Sequence, residues 1–98
     1  MNRIELDLNS PEFLGVFLEL RGKELEQVAR AIHRLQRYTW DEVYKLSGLN
    51  WENIRQVTVN GQSTASIRLS KKYRAIVIRE RNILRILSLH LDHDSAYE

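Results

Sequence analysis

Between Ser66 and Leu89 the chain carries three short runs of strand-forming residues separated by cationic turns, and no other stretch restricts the fold as much. Ser66-Ile67-Arg68-Leu69 and the run from Tyr73 to Arg79 flank a three-residue connection, Ser70-Lys71-Lys72, which predicts a hairpin. Connections this short force antiparallel neighbours, because a parallel pair needs a crossover of about a dozen residues or more. With Leu69 facing Tyr73, Arg68 falls directly opposite Arg74 on one face. Like charges so placed are mildly destabilising. An anion held between them removes that cost.

The next turn, Glu80-Arg81-Asn82, admits two registers. A two-residue loop pairs Glu80 with Ile83, and a three-residue loop pairs Arg79 with Ile83. A slip of one residue turns every side chain to the other face. Burial favours the three-residue loop, which gathers Ile67, Leu69, Ala75, Val77, Ile83, Leu87 and Leu89 beneath the helices. The far face then carries Ile76, Ile78, Leu84 and Ile86, with Arg68, Arg74, Ser88 and His90 at one end.

The first half of the chain reads differently. Ile4, Leu6 and Leu8 alternate with polar residues, as in a half-buried strand. Ser10 is placed to cap a helix with Pro11 at its first position and Glu12 in its first turn. Phe13, Leu14, Phe17 and Leu18 form its apolar stripe, and Gly22 ends or bends it. Leu25, Val28, Ala29, Ile32 and Leu35 continue at helical spacing to about Arg37. The opposite side shows Arg30, Arg34 and Arg37, which reads as a solvated face or as a second line of phosphate contacts. Thr39 opens a third, short helix that Gly48 stops. Trp51 is expected in the core rather than as a base-stacking platform. A strand over about 54–59 and a turn at Asn60-Gly61-Gln62-Ser63 lead into the hairpin.

A chain of 98 residues supports one domain with one modest core. Its net charge of +2 conceals an asymmetry: residues 1–54 hold seven basic and nine acidic groups, and residues 55–98 hold eight and four. An anionic partner would settle on the second half. No cysteine is present, so disulfides and thiolate metal sites are excluded, and no apolar run approaches the ~20 residues that cross a bilayer. The N-terminus has no signal-peptide core, and a cytoplasmic location is expected.

The basic strands lead to Asp92-His93-Asp94 and then Tyr97. RNA carries its own nucleophile, the 2′-hydroxyl, so cleavage requires a base, cations around the crowded phosphate, and an acid for the leaving oxygen. His93 suits the proton transfers, since imidazole titrates near neutrality. Arg74 and Arg68 suit the phosphate, and Lys71 and Lys72 would dock the strand electrostatically. Tyr97, four residues beyond His93, would donate a hydrogen bond or stack on a base. Two other readings remain at these residues. A His between two Asp also describes a solvated tail, and His90, Asp92, His93 and Asp94 are of the type that holds a divalent ion, although no known ligand spacing is present.

The order of elements, with Leu49-Asn50-Trp51-Glu52-Asn53-Ile54, the strand bearing Tyr73-Arg74-Ala75, and the ending from His93 to Tyr97, resembles the RelE/ParE superfamily of bacterial toxin–antitoxin toxins. The resemblance implies an α+β fold, with N-terminal helices packed on one face of a twisted, mainly antiparallel β-sheet. It also implies a metal-independent endoribonuclease that cuts mRNA on the ribosome. Arg74 matches the family's central-strand arginine, His93 and Tyr97 its C-terminal catalytic pair, and Lys71 and Lys72 its basic turn. Arg68, His90 and Asp94 complete the RNA-contacting set. The implied partners are a cognate antitoxin, mRNA and the ribosome, with no cofactor and no membrane. The ParE branch, which inhibits DNA gyrase and has no nuclease site, is the alternative, together with a non-catalytic nucleic-acid-binding module on the same fold. His93 with Tyr97 favours the nuclease.

Overall fold

The short connections of the last third produce the antiparallel meander they predict. The computed structural model describes residues 3–59 and 61–92, apart from the side chains of residues 55–57 and 59. In chain order the elements are β1 (Glu5–Asp7), α1 (Pro11–Phe17), α2 (Gly22–Leu35), α3 (Trp40–Lys45), β2 (Glu52–Val59), β3 (Gln62–Arg68), β4 (Tyr73–Glu80) and β5 (Ile83–Leu91). The strands form one five-stranded sheet in the order β1-β5-β4-β3-β2. Among the described strands only the β1–β5 pair is parallel. The α+β architecture expected from the sequence is present.

Ser10 caps α1, its Oγ accepting from the Phe13 amide at 3.5 Å with Pro11 following. The helix is shorter than its apolar spacing suggests. It closes at Phe17, and Leu18 lies 66% exposed instead of completing the stripe. Gly22, at φ +57°, makes the break before α2 in a conformation that glycine adopts without steric cost. Thr39 and Glu42 form a reciprocal capping box at α3: Thr39 Oγ1 accepts from the Glu42 amide, and Glu42 Oε1 from the Thr39 amide.

Phe13, Val28, Ile32, Leu35 and Val43 of the helices pack against Ile67, Ala75, Val77, Leu84, Ile86 and Leu89 of the sheet. All the helices' buried stripes therefore meet one sheet face.

The second hairpin corrects the expected register. Glu80 pairs with Ile83, so the loop has two residues, Arg81 and Asn82, and the three-residue loop is wrong. Arg81 takes φ +58°, where a glycine would be at ease, which is why its side chain gave no sign of so tight a turn. Leu84 and Ile86, expected on the far face, are instead fully buried under the helices, and Ile83 and Leu87 are only half-buried. A bulge then restores the expected faces. Val77 pairs with Ile86 but Ile76 pairs with Ser88, leaving Leu87 as the extra residue. Beyond it Leu89 returns to the core and His90 stands opposite Arg74. The bulge also frees a carbonyl from the ladder, and Ser10 Oγ donates to Leu87 O at 2.6 Å.

Candidate nucleic-acid interface

Pairing of β3, β4 and β5 lines up Arg68, Arg74 and His90 in one cross-strand row. Two residues along, on the same face, lies a second row of Ser66, Ile76 and Ser88. The sequence-expected cluster of Arg68, Arg74, Ser88 and His90 is thus assembled, although the register that assembles it differs.

Each guanidinium is partly engaged by a carboxylate. Arg68 Nη2 lies 2.9 Å from Asp92 Oδ2, and Asp92 is almost wholly buried. The Asp92 amide donates to Lys72 O at 2.6 Å, which ties the end of β5 to the β3–β4 turn. Arg74 Nη2 lies 3.7 Å from Glu52 Oε1 on β2, a looser contact with a carboxylate that is 62% exposed. What these acids leave unused is informative. Arg68 Nε, Arg74 Nε and Ser66 Oγ are buried and have no hydrogen-bond partner among the described residues. Buried donors without partners are costly and rare. Those atoms face no solvent, and what an anion can meet is the outer part of the two facing guanidinium groups, whose side chains are 41% and 19% exposed.

Ser70 Oγ accepts from the amides of Lys72, at 3.2 Å, and Tyr73, at 3.1 Å, and so shapes the turn between the arginines. On it, Lys71 is exposed and has no ion-pair partner among the described residues. Lys72 Nζ reaches Glu24 Oε2 on α2 at 2.5 Å, and the hydrogen bond to that carboxylate raises the ammonium's pKa above its usual value. Lys72 therefore braces the turn against α2 and does not point freely at a strand. His90 Nε2 lies 2.7 Å from Ser88 Oγ. His93, Asp94 and Tyr97 fall outside the described residues.

Glu52 was missed by sequence reasoning. It begins a strand whose pairing is irregular between Ile54 and Thr58, so no register could be projected onto it from the regular hairpin beyond. Asp92 was read as one of a loose acidic group, and its carboxylate instead holds Arg68. Among the described residues no group of three or more His, Asp or Glu side chains is placed to hold a metal ion. Trp51 packs at the core's edge, edge-on to Trp40 at 5.8 Å and Tyr44 at 5.1 Å, and its Nε1 donates to Asn53 Oδ1. Arg79 covers the Trp40 ring at 4.4 Å. These contacts support the core assignment over a free stacking platform.

No family model matches the sequence, and no curated protein matches it either. Among solved structures, the fold is similar to that of the YoeB dimer from Staphylococcus aureus, with a TM-score of 0.54 and 16% identity, over 88% of this chain and 93% of that one. At that identity the likeness establishes the fold: helices on a mostly antiparallel open sheet, as in RelE/YoeB-like toxins. Among the described residues no helix is long and apolar enough to cross a membrane.

Proposed function

We propose that the chain is the toxin of a bacterial toxin–antitoxin module, a metal-independent endoribonuclease that cleaves mRNA on the ribosome and is restrained by a cognate antitoxin. The observation that carries this reading is the facing pair Arg68 and Arg74, both partly exposed at one end of the sheet and only partly engaged by carboxylates. The fold likeness is compatible with it.

In this reading the scissile phosphate lies across Arg68 and Arg74, whose charge offsets that accumulating on the phosphoryl oxygens. The 2′-oxygen attacks the adjacent phosphorus and the bond to the 5′-oxygen breaks, giving a 2′,3′-cyclic phosphate and a 5′-hydroxyl end. Glu52, exposed and next to Arg74, is placed to accept the 2′ proton. His93 supplies the proton to the leaving oxygen, and Tyr97 contributes a hydrogen bond. Binding of the phosphate displaces the loose Arg74–Glu52 contact, which frees the carboxylate at the moment a base is needed.

Induced expression followed by mapping of transcript ends tests this. Growth arrest with new in-frame ends inside coding regions is expected. Arg74→Ala lowers cleavage by roughly 10²- to 10³-fold, the usual cost of removing one transition-state donor, with the circular dichroism spectrum unchanged. Arrest accompanied by intact transcripts and loss of DNA supercoiling would replace the nuclease with a gyrase inhibitor.

A further inference from the structure

The break between α1 and α2 leaves one apolar side chain uncovered. Leu18, Tyr44 and Leu91 are the large hydrophobic residues exposed among those described. Tyr44 is tied through its hydroxyl to Arg79, and Leu91 ends β5 opposite Tyr73. Leu18, the most exposed of the three, has neither a polar tether nor a strand partner. Its corner is held in place all the same. The Leu18 amide donates to Leu14 O at 2.9 Å, and Arg21 Nη1 donates to the carbonyls of Leu18 and Leu20 at 3.2 and 3.0 Å. The next residue, Glu19, is exposed, and its carboxylate has no hydrogen-bond or ion-pair partner among the described residues. The corner is a fixed apolar knob with a free acid beside it.

A cavity of about 270 Å³ offers the complement. It opens between the second half of α2, the α3–β2 loop and the end of β3, on the helix side of the sheet and away from the arginine row. Leu46 and Leu49 contribute to its apolar wall, and Arg34, Tyr38 and Ser70 supply polar groups. No acidic residue lines it. Arg34 has no hydrogen-bond or ion-pair partner among the described residues, whereas Arg30, one turn earlier, is held by Glu26 at 2.7 Å. Ser70 Oγ already accepts two backbone amides, so its own hydrogen remains to be donated. A lone exposed leucine is ordinary on a protein surface. Beside an unpaired acid, on a chain that also carries an apolar hole with an unpaired cation, it makes the surface self-complementary.

We propose that the Leu18–Glu19 corner of one copy of this chain docks in the cavity of a second copy, with Leu18 against Leu46 and Leu49 and the Glu19 carboxylate on Arg34. Burial of the leucine drives the contact, and the ion pair sets its orientation. Within one copy the helical rise carries Arg34 roughly 18 Å beyond Gly22, so the corner does not fill its own cavity. Two such contacts made reciprocally close a two-fold dimer, and contacts made head to tail give a ring or a chain. One knob buries far less than the ~1,000 Å² of a stable interface, so the association is weak and concentration controls it. This goes beyond the nuclease reading and stands without it, because both surfaces lie off the arginine row.

Analytical ultracentrifugation of the full chain, from roughly micromolar to millimolar, tests the contact. The mean mass is expected to rise with concentration, and the amide resonances of Leu18, Gly48 and Leu49 to move together as it does. Leu18→Ala, at an exposed position, should weaken the association by about tenfold or more, the effect of losing one buried leucine. Gly48→Trp adds bulk to the cavity where a Cβ would meet nothing within 4 Å, and should weaken it similarly. Glu19→Arg and Arg34→Glu should each weaken it, and the two together restore it, a rescue that a merely structural role for either residue does not produce. A chain that stays monomeric throughout overturns the proposal. So does association left unchanged by Leu18→Ala, or a double charge reversal that associates no better than its single parents.

Discussion

Asp7 links β1 to its parallel neighbour β5 through Arg85. Its carboxylate accepts from the Asn9 amide at 3.0 Å and from Arg85 Nε at 2.9 Å, and these bonds, the backbone one first, lower its pKa below the usual aspartate value. Because the folded-state pKa is the depressed one, the associated stability is fully present above about pH 4 and is lost as pH falls through the lowered value. Wild type and Asp7→Asn should therefore differ in thermal midpoint at pH 6 and converge towards pH 2. A constant difference across that range would show that the amide loses something other than charge. Arg85 also contacts Glu80 at 3.0 Å, so the same guanidinium joins β1 to the end of β4.

At the scale of elements, one hydroxyl couples a helix start to a strand irregularity. Ser10 Oγ accepts from the first turn of α1 and donates to the carbonyl of the bulged Leu87, 77 residues away. Ser10→Ala should cost about 2 kcal/mol, a cap and a partly buried hydrogen bond together, and lower the melting temperature by roughly 10 °C. Ser10→Asp restores the cap but cannot donate when ionised, so it should recover only part of the loss. Full recovery would mean that the Leu87 carbonyl does not need its donor. The capping residues and the first hairpin were legible because each rests on local chemistry: Ser10 before Pro11, Thr39 three before Glu42, three residues between Leu69 and Tyr73. The second hairpin was not. Its turn puts an arginine at positive φ, and its bulge answers to the packing of α1, so neither leaves a mark in nearby residue types.

Across the whole molecule, charge is arranged in pairs that the sequence does not disclose. The cationic row could be read from strand alternation and turn length, but its acids could not. Asp92 follows β5, Glu24 sits on α2, and Glu52 opens a strand with shifted register. On the proposed nuclease reading, these pairings predict unequal contributions to RNA binding. Each phosphate neutralised on a single strand contributes about −0.7 to the slope of log affinity against log salt. Lys71→Ala, which removes an exposed cation with no ion-pair partner among the described residues, should reduce that slope by roughly 0.7 in titrations between about 50 and 200 mM salt. Lys72→Ala, which removes one already held by Glu24, should change it much less. Equal changes would mean that RNA displaces Glu24 from Lys72. The parallel edge has a consequence of another kind. Among the described strands β1 lies at the border of the sheet and neighbours β5 alone, with Asp7 facing Arg85. At about 5–20 residues per second, the ribosome takes roughly 4–16 s to deliver that neighbour after β1 has been made. Of the five described strands the first to be made must therefore wait for the last, and until then the sheet has no finished border on that side.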